Sequence, residues 1–193
     1  YRMYVVDPSA RQILRDTPAP DGTGYPAPPT GYLINPTSLA SVDAMAINGD
    51  LYLAQDGAVR RYVGGAVDEW VPADPGDSVI RSTPEIRLIL SAGASRTGVL
   101  YGWDVRNERI LAYSKASSGS VLAQYQLVAS DGVVSNIVGG YIALARDGGA
   151  STFIWAEEGR IRGAVLGAAV TPGATSTPAA TAAPVIELPS TQP

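Results

Sequence analysis

The sequence predicts an all-β chain, a β-propeller fragment of about three to four antiparallel four-stranded blades followed by a disordered tail. Three observations carry that expectation. Four stretches of the chain read alike, at a period of about 50 residues. Hairpin dipeptides fall at strand-length intervals between them. Gly (21) and Pro (15) punctuate a composition dominated by Val, Ile, Leu, Ala and Tyr, the pattern of many short strands and tight turns.

The repeated stretches are MYVVDPSARQILR (3–15), LYLAQDGAVRRY (51–62), LYGWDVRNERILAY (100–113) and FIWAEEGRIRGAV (153–165). Tyr4, Tyr52, Tyr101 and Ile154 occupy one matched position, spaced 48, 49 and 53 residues apart. Three residues further on stand Asp7, Gln55, Asp104 and Glu157, and the returning strand is marked by Ile13, Val59, Ile110 and Ile161. The second unit shows the whole meander: VDAMAI (42–47), DLYLAQ (50–55), AVRRYV (58–63) and AVDEWVPA (66–73). Its turns are Asn48-Gly49, Asp56-Gly57 and Gly64-Gly65, the residues that tolerate positive φ in two-residue hairpins.

The third unit reads EIRLILSA (85–92), VLYGWD (99–104), RILAYS (109–114) and VLAQYQLVA (121–129). The fourth reads SNIVGGYIALA (135–145), STFIWA (151–156) and RIRGAVL (160–166), with no evident fourth strand; the first begins at its second strand. The expected blades are therefore 1–40 (partial), 41–83 (full), 84–131 (full) and 132–168 (partial). VLAQYQLVA and IRGAVLGAAV are locally compatible with helix, but their neighbours are strands at matched spacing. Residues 16–40 are rich in Pro and Gly and read as a long surface loop around one short strand, TGYLIN. Residues 169–193 read as a Thr/Pro/Ala-rich tail or linker. Within it, VIEL (185–188) has the composition to dock as a strand on an open sheet edge.

Such an arc leaves an apolar sheet face bare, which a closed ring would cover. The expectation is a piece of a six- or seven-bladed chain, or a chain whose remaining blades come from a partner; a four-bladed ring with an exchanged strand is the alternative. The start at Tyr1-Arg2-Met3 fits a chain preceded by other residues or trimmed by cleavage.

Composition closes several chemistries. The formal net charge is −4, with 13 scattered Arg and a single Lys, Lys115. Nucleic-acid binding needs a clustered basic face and is not expected. There is no Cys and no His, so thiolate chemistry, a Cys/His zinc site and a His-based hydrolase triad are excluded. The longest apolar stretch, Gly132 to Ala145, is glycine-interrupted and falls short of the roughly 20 residues of a membrane helix.

Five residues are candidates for ligand binding. Asp7 and Asp104 are matched, with Glu157 near-equivalent. They suit a carboxylate ring near a central channel that holds a cation or sugar, or else Asp residues that end strands and bond the next turn. Trp103 and Trp155, near-equivalent, suit a stacking surface for sugars or peptides, or inter-blade packing. Asp74 and Asp77 in PADPGDS are possible calcium ligands but lack the rest of a calcium loop and read as a solvated turn. Asp147-Gly148-Gly149 and Asp21-Gly22-Thr23-Gly24 read as turns; the latter matches the aspartic-protease triplet only as a string. No metal or catalytic residue is assigned.

MYVVDPSARQILR and LYGWDVRNERILAY resemble the NHL-like and related six-bladed β-propeller repeats, whose pattern is LYVxDxxNxRIxxY with a following GxxxxxY/W strand. The resemblance extends over residues 1 to about 165, and the second and fourth units shorten the Asp-containing turn by two residues. More distantly, the chain is similar to the propeller domains appended to phosphatase or kinase signalling proteins of filamentous green bacteria. The resemblance implies a non-catalytic module, extracytoplasmic or at the cell surface, that binds a protein or small ligand on its propeller face. It implies no cofactor and no membrane insertion of this segment. The alternatives are a calcium-dependent lactonase- or lyase-like propeller enzyme and a structural cell-surface or assembly subunit.

Overall fold

The computed structural model describes residues 1–75, 83–116, 118–128, 134, 137–145, 150–157, 159–166 and 179–187; for Val128 and 179–187 it describes the backbone alone. Among these residues there are fifteen strands and no helix. They form four antiparallel meanders. Blade 1 holds β1 (Met3–Asp7), β2 (Gln12–Asp16) and β3 (Thr30–Gly31). Blade 2 holds β4 (Val42–Asn48), β5 (Asp50–Gln55), β6 (Ala58–Val63) and β7 (Ala66–Val67). Blade 3 holds β8 (Ile86–Ala92), β9 (Val99–Asp104), β10 (Arg109–Ser114) and β11 (Val121–Val128). Blade 4 holds β12 (Gly139–Ala143), β13 (Thr152–Glu157), β14 (Arg160–Val165) and β15 (Ala179–Glu187). The chain is an open arc of propeller blades.

Local chemistry sets the turns. Gln55 pairs with Ala58 across Asp56-Gly57, and Val63 with Ala66 across Gly64-Gly65. All four turn residues have positive φ, which matches the twist of the flanking strands. At Asn48-Gly49 the reversal is tighter: Asn48 pairs with Asp50, and only Gly49 takes positive φ. Blades 1 and 3 share a longer turn. Asp7 pairs with Gln12 and Asp104 with Arg109, and the residue before the return, Arg11 or Glu108, has positive φ in both. In blades 2 and 4 this turn is two residues shorter, as the sequence alignment implies.

Period-2 alternation then decides which neighbour each side chain meets. Tyr4, Val6 and Ile13 of blade 1 pack with Leu33, Leu39, Leu51, Leu53 and Tyr62. Tyr52, Ala54, Val59 and Trp70 of blade 2 pack with Ile89, Leu100, Leu111 and Tyr113 of blade 3. Tyr101, Trp103, Ile110 and Tyr125 of blade 3 pack with Ile142, Phe153, Trp155 and Ala164 of blade 4. Each large apolar side chain buried this way contributes about 1.5–3 kcal/mol. Blade 1 lacks an innermost strand, and Ile47 on β4 faces that side and stays exposed.

The tail, expected to be disordered apart from a possible VIEL strand, adds the strand β15. Docking of VIEL is seen through residue 187 and extends back to Ala179. β15 pairs antiparallel with β14, completing blade 4, and its first residues pair parallel with β11 at Gln126–Val128. It thereby joins the outer edges of blades 3 and 4 into one eight-stranded sheet. Between the Ile161↔Ile186 and Gly163↔Ala183 pairs, two residues of β15 oppose one of β14. Pro184, which has no N–H to give, falls in this bulge, where a strand tolerates proline.

Gly65 supplies a test of the turn chemistry. It has φ +88°, and a Cβ there would lie 2.0 Å from the Tyr32 carbonyl oxygen, whereas a Cβ on Gly64 meets nothing. Gly65→Ala is expected to lower unfolding stability by more than about 2 kcal/mol in urea titration, and Gly64→Ala by about 1 kcal/mol. Equal losses at the two positions contradict the blade 1–blade 2 contact.

Candidate functional site

The four matched polar positions each end the second strand of a repeat, and each has a structural partner. Asp7 Oδ1 accepts hydrogen bonds from Ser9 Oγ (2.7 Å) and the Ala10 amide (3.0 Å). The Ala10 amide, then the Ser9 hydroxyl, hold its carboxyl below the usual range. Gln55 donates to the Ser38 carbonyl on the segment entering blade 2 (2.8 Å). Asp104 accepts from the Glu85 amide on the segment entering blade 3 (2.9 Å), and from Asn107 Nδ2 and Arg109 Nε (2.7 Å each). Glu157 accepts from the Trp155 indole (2.8 Å) and from Arg162 Nε (3.1 Å).

The Asp104–Arg109 pair is fully buried. Two charges removed from water are tolerable only with good geometry and with their remaining hydrogen-bonding sites occupied. Arg109 Nη1 donates to Gln124 Oε1 (2.7 Å), and Gln124 Nε2 donates to the Pro75 carbonyl (3.2 Å). The network therefore ties β9, β10 and β11 to the connection between blades 2 and 3. Trp103 and Trp155 are buried in the core between blades 3 and 4, where Trp155 stacks on Phe153 at 5.0 Å. The five candidates thus sit in two blade cores and one exposed turn, and are not gathered around one cavity. Asp74 is engaged by its surroundings; Asp77 and Asp147-Gly148-Gly149 lie outside the described residues. Asp21 bonds the amide and hydroxyl of Thr23 within its own turn. Among the described residues no three acidic groups come together as a metal-ligand set.

Two polar groups that the sequence did not single out lie at the junction of blades 2 and 3, where Arg61 joins the two blades and Lys115 bonds within blade 3. At the strand ends opposite the Asp104 turn, Lys115 is fully buried and donates from Nζ to Ser91 Oγ (2.9 Å). Burial lowers the pKa of its ammonium, and the charge of Asp50 opposes that shift. Asp50 is itself buried, with Arg96 Nε 3.7 Å from its Oδ2. Beside them Arg61 stacks over Trp70 (5.5 Å), bonds Asp68 (2.7 Å) and donates to the Lys115 carbonyl (2.7 Å). Burial works against the Asp68 charge, but Arg61 and the Trp70 amide outweigh it and hold the carboxyl below the usual range. Lys115 as the sole lysine among 13 arginines was the one signal available in the sequence.

At the Asp104 end, Asp43 of β4, Arg87 of β8, Glu85 on the segment entering β8 and Arg106 on the β9–β10 turn form a surface cluster. Arg87 of β8 bonds Asp43 of β4 (2.8 Å) and Glu85 (2.7 Å), and Arg106 bonds Glu85 (2.9 Å). Arg87, then Arg106, hold the Glu85 carboxyl below the usual range. Exposed pairs of this kind add little stability and leave donors and acceptors facing solvent.

No family model matches the chain, and no curated protein matches it. Among solved structures, it is similar to Hsv2 of Kluyveromyces lactis, with a TM-score of 0.45 and 10% identity over 84% of this chain and 44% of that one. The chain therefore spans less than half the length of that structure.

Asp104→Ala removes one partner of a buried ion pair and is expected to cost about 3–5 kcal/mol in chemical denaturation. Asp7→Ala, at an exposed turn, is expected to cost clearly less; equal losses contradict the division of roles. Lys115 titrates below its unfolded value of 10.5, so the unfolded chain holds the extra proton between those two values. Its contribution therefore becomes more stabilising as pH rises through that window. Relative to wild type, Lys115→Met is expected to be most favourable at neutral pH, with the difference shrinking towards pH 10.5. A difference that is flat with pH contradicts the assignment.

Proposed function

We propose that this chain is a non-catalytic propeller module that binds a protein or small ligand, serving as an extracytoplasmic sensor or scaffold domain within a larger assembly. The observation that carries this reading is where its polar groups are used. Asp104, Glu157, Trp103 and Trp155 are consumed in holding blades together. Among the charged groups open to solvent, Arg87, Glu85, Arg106 and Asp43 are gathered into one cluster at the Asp104 end of blades 2 and 3. Such a surface suits recognition: it offers fixed donors and acceptors without an acid–base pair or nucleophile poised for chemistry. Further blades, supplied by a longer chain or a partner chain, cover the outer faces of blades 1 and 4.

The calcium-dependent enzyme reading and the binding reading differ in one solution property. A cation that binds only the folded state raises its melting temperature. Calcium added to metal-free protein is expected to leave Tm unchanged. A concentration-dependent rise, abolished by chelator, would sink the non-catalytic reading. The complete reading frame separates the remaining roles: a membrane span and signalling domain on the same chain support the sensor, and a secretion signal with no such domain supports a structural surface subunit.

A further inference from the structure

The outer strand of blade 4 is unlike those of blades 2 and 3. β7 follows β6 across the Gly64-Gly65 turn, and β11 follows β10 through residues 115–120. β15 is reached only after residues 166–178 and stands outside the internal repeat. It makes the one parallel pairing among the described strands, Ala179–Thr181 with Gln126–Val128, and pairs antiparallel with β14 over Ala182–Glu187. The edges that it meets place this strand; no hairpin does.

Its sequence gives it little besides backbone to hold with. Residues 179–183 are four Ala and one Thr, and only Val185 and Ile186 are large and apolar. β14 sets Gly163 and Ala164 opposite Ala183 and Ala182. Cross-strand side-chain pairs strengthen a sheet beyond its ladder, and these pairs join the smallest residues. Pro184 brings no N–H, and the ladder is interrupted beside it, between the Gly163↔Ala183 and Ile161↔Ile186 pairs. Against this, fixing the nine residues of β15 costs backbone entropy at each. The strand therefore belongs to the low-stability end of the structure, where local opening is easiest. The blade beneath keeps its core without it: Phe153, Trp155, Ala164 and Leu166 pack against blade 3, and blade 2 has an outer strand of only two residues.

We propose that β15 is a releasable strap over a strand-acceptor edge: when it lifts, the outer edge of β14 takes in an extended segment of a partner protein as a replacement strand. Backbone hydrogen bonds supply the affinity in this mode of recognition, and side chains at alternate positions supply the selectivity. The strap itself shows what the edge accepts, an extended and nearly uncharged segment with Glu187 as its one charge. A segment with β-branched residues opposite Gly163 and Ala164, and without the proline, makes better pairs than the strap does and displaces it. This surface lies on an outer strand, away from the Asp43, Glu85, Arg87 and Arg106 cluster on the innermost strands and their loops. The recognition assigned to that cluster does not depend on it.

Two measurements on the full chain test it. In native-state hydrogen exchange, the amides of β15 are expected to exchange about 100-fold faster than those of β13, because they open without the rest of the blade. Equal protection of the two strands overturns the proposal. The second probe is a fluorescent peptide of residues 179–188 carrying Ala182→Val and Ala183→Val. Ile186→Pro removes the amide opposite Ile161 and loosens the strap. The peptide is expected to bind this variant about tenfold more tightly than wild type, since the edge no longer has to be vacated. Equal binding to the two chains, or none to either, overturns the proposal. Loss of the far-UV circular dichroism or of cooperative melting in Ile186→Pro makes β15 a strand that the fold requires, and overturns it as well. Each of these failures leaves the surface cluster of Asp43, Glu85, Arg87 and Arg106 as the recognition site.

Discussion

A four-stranded sheet whose strands carry apolar side chains on both faces is stable only between two neighbours, and this constraint organises the whole molecule. β5 is buried from end to end, and β9 everywhere but its first residue, because a blade lies against each of their faces. β1 and β13 have the same kind of sequence but are far less buried, β1 running between exposed and partly buried residues and β13 burying only Phe153 and Trp155 fully, since each has a blade on one side only. The gradient from two-sided to one-sided burial follows position in the arc and not local composition.

Closeness between blades has its own requirements. Where β12 approaches blade 3, a Cβ on Gly140 would stand 2.9 Å from Phe153 and 3.3 Å from Leu88, so glycine lets the two sheets meet. Many of the polar groups that the packing encloses are matched in place, although Arg109 Nη2 and Gln55 Oε1 have no hydrogen-bond partner. Asp104, Gln55 and Gln12 each reach from a strand end to the backbone of a connecting segment, and Arg61 links blade 2 to blade 3 through the Lys115 carbonyl. In a low-dielectric interior such bonds are worth more, and leaving one unmade is costly. Carboxylates that appear on sequence grounds as candidates for a ligand ring are thereby committed to holding hairpins and inter-blade connections in register.

The rim is closed by different means. β15 inserts between the outermost strands of blades 3 and 4 and satisfies backbone groups on both. An unpaired outer edge is a template for unwanted association, and this strand removes two of them at once. The innermost position of blade 1, by contrast, has no strand beside β1.

Most strands, their turns and the four-fold repeat were determined by the sequence alone, because period-2 alternation and positive-φ residues such as Asp56-Gly57 and Gly64-Gly65 act over a few neighbours; the strands expected over TGYLIN (30–35) and AVDEWVPA (66–73) are only Thr30–Gly31 and Ala66–Val67. The difference between the long turns at Asp7 and Asp104 and the short ones at Gln55 and Glu157 was legible for the same reason. Tertiary structure decided the rest. Whether Trp103 and Trp155 bind a ligand or fill a core depends on the sheet that faces them. Asp104 is claimed by Arg109, Asn107 and a backbone amide brought in from Glu85, 19 residues away. Lys115 and Ser91 meet only because β8 and the end of β10 share a blade. The tail becomes a strand where two outer edges stand ready to pair with it; only VIEL in its composition suits a strand, and the pairing reaches back to Ala179.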